Sequence, residues 1–336
     1  MEGTIAMATK YAKKISEEKK ARLQATMNGD GVIAALAIDQ RGAMKKLIGK
    51  FREPQDQDII DFKKLVSREL TPYTSSILLD PEYGLPASKL RAQNAGLLVA
   101  YERTGYDATV PGRLPDLLSV WSVRRLKEAG ADAVKFLLYY DPEEGDEIND
   151  QKHAFVERIG DECAAEDMPL FVELVTYDAK GADPKSAEYA HQKPFKVIQA
   201  MREFSDPKYG VDVLKVEVPV NMAFVEGYTA PAAEPVYSAE QAAAFFKEQA
   251  EATDLPYIFL SAGVSAELFR KTLRFAHVSG STFNGVLCGR ATWADGVEAF
   301  CKDGEDGCVK WLQTQGKQNV EELNEVLKET ATPIEF

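Results

Sequence analysis

Eight short runs rich in Val, Ile and Leu recur along the chain, each followed by a longer amphipathic stretch, and this alternation constrains the fold more than any other feature. The runs fall at residues 31–38, 75–79, 97–101, 131–139, 170–177, 211–218, 257–261 and 284–288. Between them, a 3.6-residue period predicts helices, among them 116–128, 148–166, 239–252 and 266–277. Asp116 and Ser265 stand where two of these helices need an N-cap, and Gly130 and Gly280 follow helical runs. Eight strand–helix units imply an α/β fold closed into a (β/α)8 TIM barrel; an open doubly wound sheet is the alternative. The 336 residues suit one such barrel with extra N- and C-terminal helices. The expected division is a polar helical extension over 1–30, a catalytic barrel over 31–306 and packed C-terminal helices over 307–336.

Composition narrows the partners. A formal net charge of -13, spread along the chain, repels nucleic acid and anionic lipid, so a phosphate-bearing ligand must be held by a local cluster of donors. No apolar run approaches the roughly 20 residues that a membrane-spanning helix needs, and a cytoplasmic protein is expected. Cys163, Cys288, Cys301 and Cys308 match no zinc-binding spacing and are too few for a disulfide framework, so reduced thiols are expected.

Charges in the middle of strands need a reason, because a barrel strand faces helices on one side and the interior on the other. In the sixth run, Val213-Leu214-Lys215-Val216-Glu217-Val218, the even positions form an apolar face and Lys215 falls on the inward one. The same parity turns Lys135 inward in Ala133-Val134-Lys135-Phe136-Leu137 and Glu173 inward in Phe171-Val172-Glu173-Leu174-Val175. Three neighbouring strands thus bring a Lys, a Glu and a Lys into one interior. A buried ion-pair network that only fixes register is the competing explanation, and it costs several kcal/mol of desolvation per ion.

The set suits amine catalysis on a carbonyl. An amine attacks a ketone only when unprotonated, and burial beside a second cation favours that form; Lys135 is expected to supply the second charge for Lys215. Glu173, between them, can carry the protons of imine formation and take the proton from a substrate hydroxyl as a carbon–carbon bond breaks. The iminium then serves as electron sink, so neither a metal nor a cofactor is expected. The three histidines, His153, His191 and His277, all fall in helical or loop segments.

Two glycine-bearing loops follow the seventh and eighth runs, Ser261-Ala262-Gly263-Val264-Ser265 and Cys288-Gly289-Arg290-Ala291-Thr292. Ser261, Gly263, Gly289 and Arg290 are the expected phosphate contacts, because small residues admit an anion to the backbone and Arg290 adds a permanent cation. After the first run, Asp39 and Gln40 stand where sugar hydroxyls would be bound, and Arg41 is expected to reach a second phosphate. Asp80 and Glu82, after the second run, suit substrate binding or turn-making equally well.

Taken in order, Ala37–Gly42, Leu78–Gly84, Val134–Tyr140, Asp212–Pro219 and Leu287–Trp293 resemble the motifs of the class I, Schiff-base-forming tagatose-1,6-bisphosphate aldolase family. The likeness runs from about Gly31 to Thr330; the extension through Asp30 and residues 230–235 are not matched to the family pattern. It implies cleavage of D-tagatose 1,6-bisphosphate to dihydroxyacetone phosphate and glyceraldehyde 3-phosphate, in the degradation of lactose and galactose. It further implies Lys215 as the Schiff-base lysine, Glu173 as acid/base, Lys135 beside them, and Asp39, Ser261, Gly289 and Arg290 as substrate contacts. The same chemistry on another phosphorylated or sulfonated ketose, and a sugar-phosphate-binding regulator without turnover, are the alternatives. A homodimer or higher homo-oligomer is expected of a barrel with added C-terminal helices.

Overall fold

The computed structural model describes residues 8–103, 105–230 and 234–336; the first seven residues of the expected extension and three of the 230–235 segment lie outside the described residues. Eight parallel strands close into a barrel: β1 (Ile33–Ala37), β2 (Ser76–Leu79), β3 (Gly96–Ala100), β4 (Ala133–Tyr140), β5 (Leu170–Thr176), β6 (Val213–Val216), β7 (Tyr257–Leu260) and β8 (Gly285–Cys288). Strand order follows the sequence, and β8 pairs with β1 to shut the ring. This settles the choice between barrel and open sheet.

The barrel buries two apolar layers. Val134, Phe136, Val172, Leu174, Leu214 and Val216 point outward into one core beneath the helices, whereas Ile33, Leu98, Ala133, Phe171, Val213 and Ile258 fill the interior. Strand parity therefore separates the faces as the sequence predicts. The interior packing continues downward into Leu23 and Met27, at the end of helix Glu17–Ala25, and Ile334, so the N-terminal helix plugs the barrel floor. Beneath it Thr9–Lys10 and Ile334–Glu335 pair in a two-stranded sheet.

Most predicted helices are found within a few residues: Asp146–Ala165, Ala239–Ala250 and Ala266–Val278, the last capped by the Ser265 hydroxyl. The 116–128 prediction fails in its first half. There Leu117 bridges to Glu102 and the Leu118 N–H donates to Tyr101 O, so tertiary pairing overrides helical periodicity; Ser122, not Asp116, caps the shorter helix Val123–Glu128. At the C-terminus, helix Gly296–Trp311 begins earlier than expected and passes through a π-turn, Leu312–Gly316, into Lys317–Thr330.

Candidate active site

Lys135, Glu173 and Lys215 meet one layer above the apolar floor. Register places Glu173 directly beside Lys215 across β5 and β6, and Lys135 beside Ala100, the last residue of β3. The Glu173 carboxylate lies between the two amines, Oε1 2.8 Å from Lys215 Nζ and Oε2 2.6 Å from Lys135 Nζ. Parity alone predicted that these side chains share an interior; the distances show that they form one connected cluster.

The environment of Lys135 adds to what the sequence suggests. Its amine is ringed by carboxylates: Glu173, Glu102 Oε1 at 2.7 Å and Asp39 Oδ2 at 3.0 Å. Three acceptors match the three N–H bonds of an ammonium, and although burial opposes the charge, the carboxylates hold the Lys135 pKa well above that of an ordinary lysine. Reciprocally, burial alone would raise the Asp39 and Glu173 pKa values, but Lys135 and Lys215 drive both below the usual carboxylate range. Glu102 differs. Burial dominates there and pushes its pKa up despite Lys135, while its second oxygen accepts from the Leu137 N–H at 3.2 Å. Glu102 escaped the sequence reading because it sits just past the fully apolar run 97–101; a charge adjoining such a run is the signal that would have found it.

Arg41 departs from expectation. Its guanidinium is buried, bonded through Nη1 to Glu82 at 2.6 Å and through Nη2 to the Glu102 carbonyl at 2.9 Å, and is therefore committed to the wall, not to a second phosphate. Asp80 is likewise structural: it pairs with buried Lys63 and accepts from the Tyr83 N–H.

The loops after β7 and β8 do converge. Arg290 leans over Gly263, so that a Cβ built on that glycine would stand 3.0 Å from Arg290 Nη2. Gly263 has φ +76°, and its neighbour Ala262, φ +49°, holds a left-handed conformation that costs an L-residue energy. Among the described residues, no backbone carbonyl accepts from the Ala262, Gly263 or Gly289 N–H. Ser261 is buried beside them, and the Gln40 amide approaches Gly289 from β1, its buried Oε1 lacking a partner. The result is a polar recess with free donors, a cation and a free acceptor. The three histidines lie elsewhere, on helices Asp146–Ala165, Ala187–Phe204 and Ala266–Val278.

A lysine–carboxylate–lysine cluster at the open end of a barrel is suited to imine chemistry, and comparison with known proteins gives the family of the chain. A family model described as DeoC/LacD family aldolase matches residues 33–295. The chain belongs to that family. It is 62% identical over 322 residues to tagatose 1,6-diphosphate aldolase 1 of Enterococcus faecalis, covering 96% of this chain and 98% of that one. The second aldolase of that name from the same organism is 64% identical, covering 94% and 95%, and the Streptococcus pneumoniae tagatose 1,6-diphosphate aldolase is 59% identical, covering 95% and 98%. Among solved structures, Plasmodium falciparum fructose-bisphosphate aldolase superposes with a TM-score of 0.69 at 18% identity over 95% of this chain and 98% of that one. At that identity the likeness concerns the fold alone. As a member of the DeoC/LacD aldolases, the protein is an aldehyde-lyase.

Proposed function

We propose that this aldolase cleaves a ketose 1,6-bisphosphate, D-tagatose 1,6-bisphosphate foremost, through a Schiff base on Lys215. The observation that carries the reading is the Glu173 carboxylate held 2.8 Å from Lys215 Nζ and braced on its other oxygen by Lys135. The substrate is the one for which the bacterial relatives are named.

The chemistry follows from that geometry. Glu173 takes a proton from Lys215, whose free amine adds to the ketone carbon C2; the same carboxyl returns the proton to the departing hydroxyl, and water leaves to give the iminium. Glu173, ionised again, then removes the C4 hydroxyl proton. The C3–C4 bond breaks, its electron pair moves into the iminium to form an enamine, and glyceraldehyde 3-phosphate departs. Protonation at C3 and hydrolysis release dihydroxyacetone phosphate and regenerate Lys215. Lys135 remains an ammonium throughout, fixing the Glu173 rotamer and favouring its ionised form. The recess of Ser261, Gly263, Gly289 and Arg290 receives the phosphate nearest the ketone, while Asp39 and Gln40 meet sugar hydroxyls.

Borohydride reduction in the presence of dihydroxyacetone phosphate, followed by peptide mass mapping, tests the assignment. One adduct is expected, on the peptide bearing Lys215. Reversible binding of the ketose without any adduct would favour a sugar-phosphate-binding regulator instead. A panel of C4-epimeric ketose bisphosphates, assayed for dihydroxyacetone phosphate release, identifies the preferred substrate. We also place the protein in the cytoplasm as a homo-oligomer, which light scattering of the purified chain checks.

A further inference from the structure

After β3, residues 105–122 fold back over the mouth above β4 and β5. Tyr106 donates its hydroxyl hydrogen to Leu137 O at 2.8 Å and meets the Tyr139 ring edge-on at 6.0 Å. Further along, Gly112, at φ +90°, donates its N–H to Glu144 Oε1 at 2.9 Å, which ties the segment to the loop after β4. Arg113 follows at φ +42°, a conformation unfavourable for any residue but glycine and maintained here by the tether before it.

That strained turn aims the Arg113 guanidinium at two rings, 4.8 Å from the centre of Tyr139 and 5.1 Å from that of Tyr177. Tyr139 lies four residues beyond Lys135 on the inward parity of β4, about 13 Å higher at roughly 3.3 Å per residue, and Tyr177 immediately follows β5, four residues beyond Glu173. The nearby carboxylate is already engaged: Glu144 is paired with Lys152 at 2.8 Å and bonded by the Tyr177 hydroxyl. Among the described residues, Arg113 makes no ion pair, in a chain whose net charge is -13. Two aromatic faces hold the guanidinium plane and leave its N–H edge for a bidentate acceptor.

Barrel order gives this cage a role. Lys215 on β6 stands between β5, which carries Tyr177 at its end, and β7, which leads into the Arg290 recess. A ketose joined to Lys215 at C2 extends its short C1 arm to one side and its longer arm to the other. We propose that Arg113, caged by Tyr139 and Tyr177, is the specificity-determining contact for the distal phosphate monoester, on the end that leaves as the aldehyde. The proposal rests on the Lys215 assignment and extends it.

The test compares kcat/KM for D-tagatose 1,6-bisphosphate and D-tagatose 1-phosphate, which lacks the distal group, with borohydride trapping of dihydroxyacetone phosphate as a control for an intact Lys215 site. In Arg113→Ala, kcat/KM for the bisphosphate is expected to fall about 10–100-fold, the loss of a charge-assisted contact, while the 1-phosphate changes less than about twofold. Arg113→Gln keeps a planar group between the rings and should show the same selective loss, so it carries the test if the alanine variant traps poorly. An unchanged bisphosphate reaction, or equal losses on both substrates with trapping at the wild-type level, overturns the proposal. Absence of trapping in the wild type would refute the Lys215 assignment instead, a distinct outcome.

Discussion

Two of the lysines buried at this end of the barrel, Lys63 and Lys215, stand in different settings. Lys63 reaches inward from helix Asp56–Leu70 to pair with Asp80 at the end of β2, and neither side chain has any exposed surface. Lys215 extends from a strand into the interior, faces Glu173, and keeps slight exposure toward the mouth, as Glu173 does. Burial lowers the Lys63 pKa even against the pull of Asp80. What separates the two is access: Lys63 is enclosed by packed side chains and has one partner, whereas Lys215 keeps slight exposure and has the Glu173 carboxylate in contact, as the proposed Schiff-base role requires. Desolvation makes an amine reactive only where a substrate can reach it.

Replacing each lysine tests that contrast most directly. Lys215→Ala is expected to reduce cleavage by about four orders of magnitude or more and to abolish borohydride trapping, measured by coupled assay and peptide mass mapping. Trapping that persists on another lysine would erase the distinction. Glu173→Gln should bind the ketose bisphosphate yet lose about 10²–10⁴-fold in kcat, because the proton carrier is gone while both lysines remain. Lys63→Met leaves Asp80 buried without its cation and should cost about 3–5 kcal/mol of stability, read by denaturant unfolding, with trapping stoichiometry unchanged. The smallest effect is expected for Glu102→Gln, about tenfold in kcat, since Lys135 keeps two of its three carboxylates.

The pH profile sharpens the same comparison. Lys135 and Lys215 overcome the effect of burial and hold the Glu173 pKa below its ordinary 4.5, so the acid limb of kcat/KM should fall below pH 4.5. The depressed Glu173 and Asp39 pKa values have a matching consequence for folding. Their contribution to stability is fully present above the ordinary carboxylate values and is lost as pH falls through the lowered ones.

Much of this was legible in the sequence because strand parity is a strict rule. Lys135, Glu173 and Lys215 each interrupt an apolar run at an odd position, and two-residue alternation leaves them no direction but inward. Glycines and a cation in adjacent loops pointed to the Arg290 recess for similarly local reasons. What escaped depends on long-range closure. Arg41 read as a phosphate contact and Asp80 as a substrate contact or a turn-maker, but their partners, Glu102 and Lys63, lie 61 and 17 residues away and engage them in the wall. Helix 116–128 lost its first half to a bridge with Glu102, just past β3, and Arg113 belongs to a loop whose path is set by Glu144 and by Tyr139 and Tyr177, at or just past the ends of β4 and β5.

The paired strands Thr9–Lys10 and Ile334–Glu335 lie beneath the barrel, where the Ile334 N–H donates to Gly31 O just ahead of β1. Both ends of the described chain are consequently anchored on the side away from the mouth. An affinity handle or a reporter fused after Phe336 would hang below the catalyst and leave the entrance clear, which makes that end the natural point for immobilising a working enzyme.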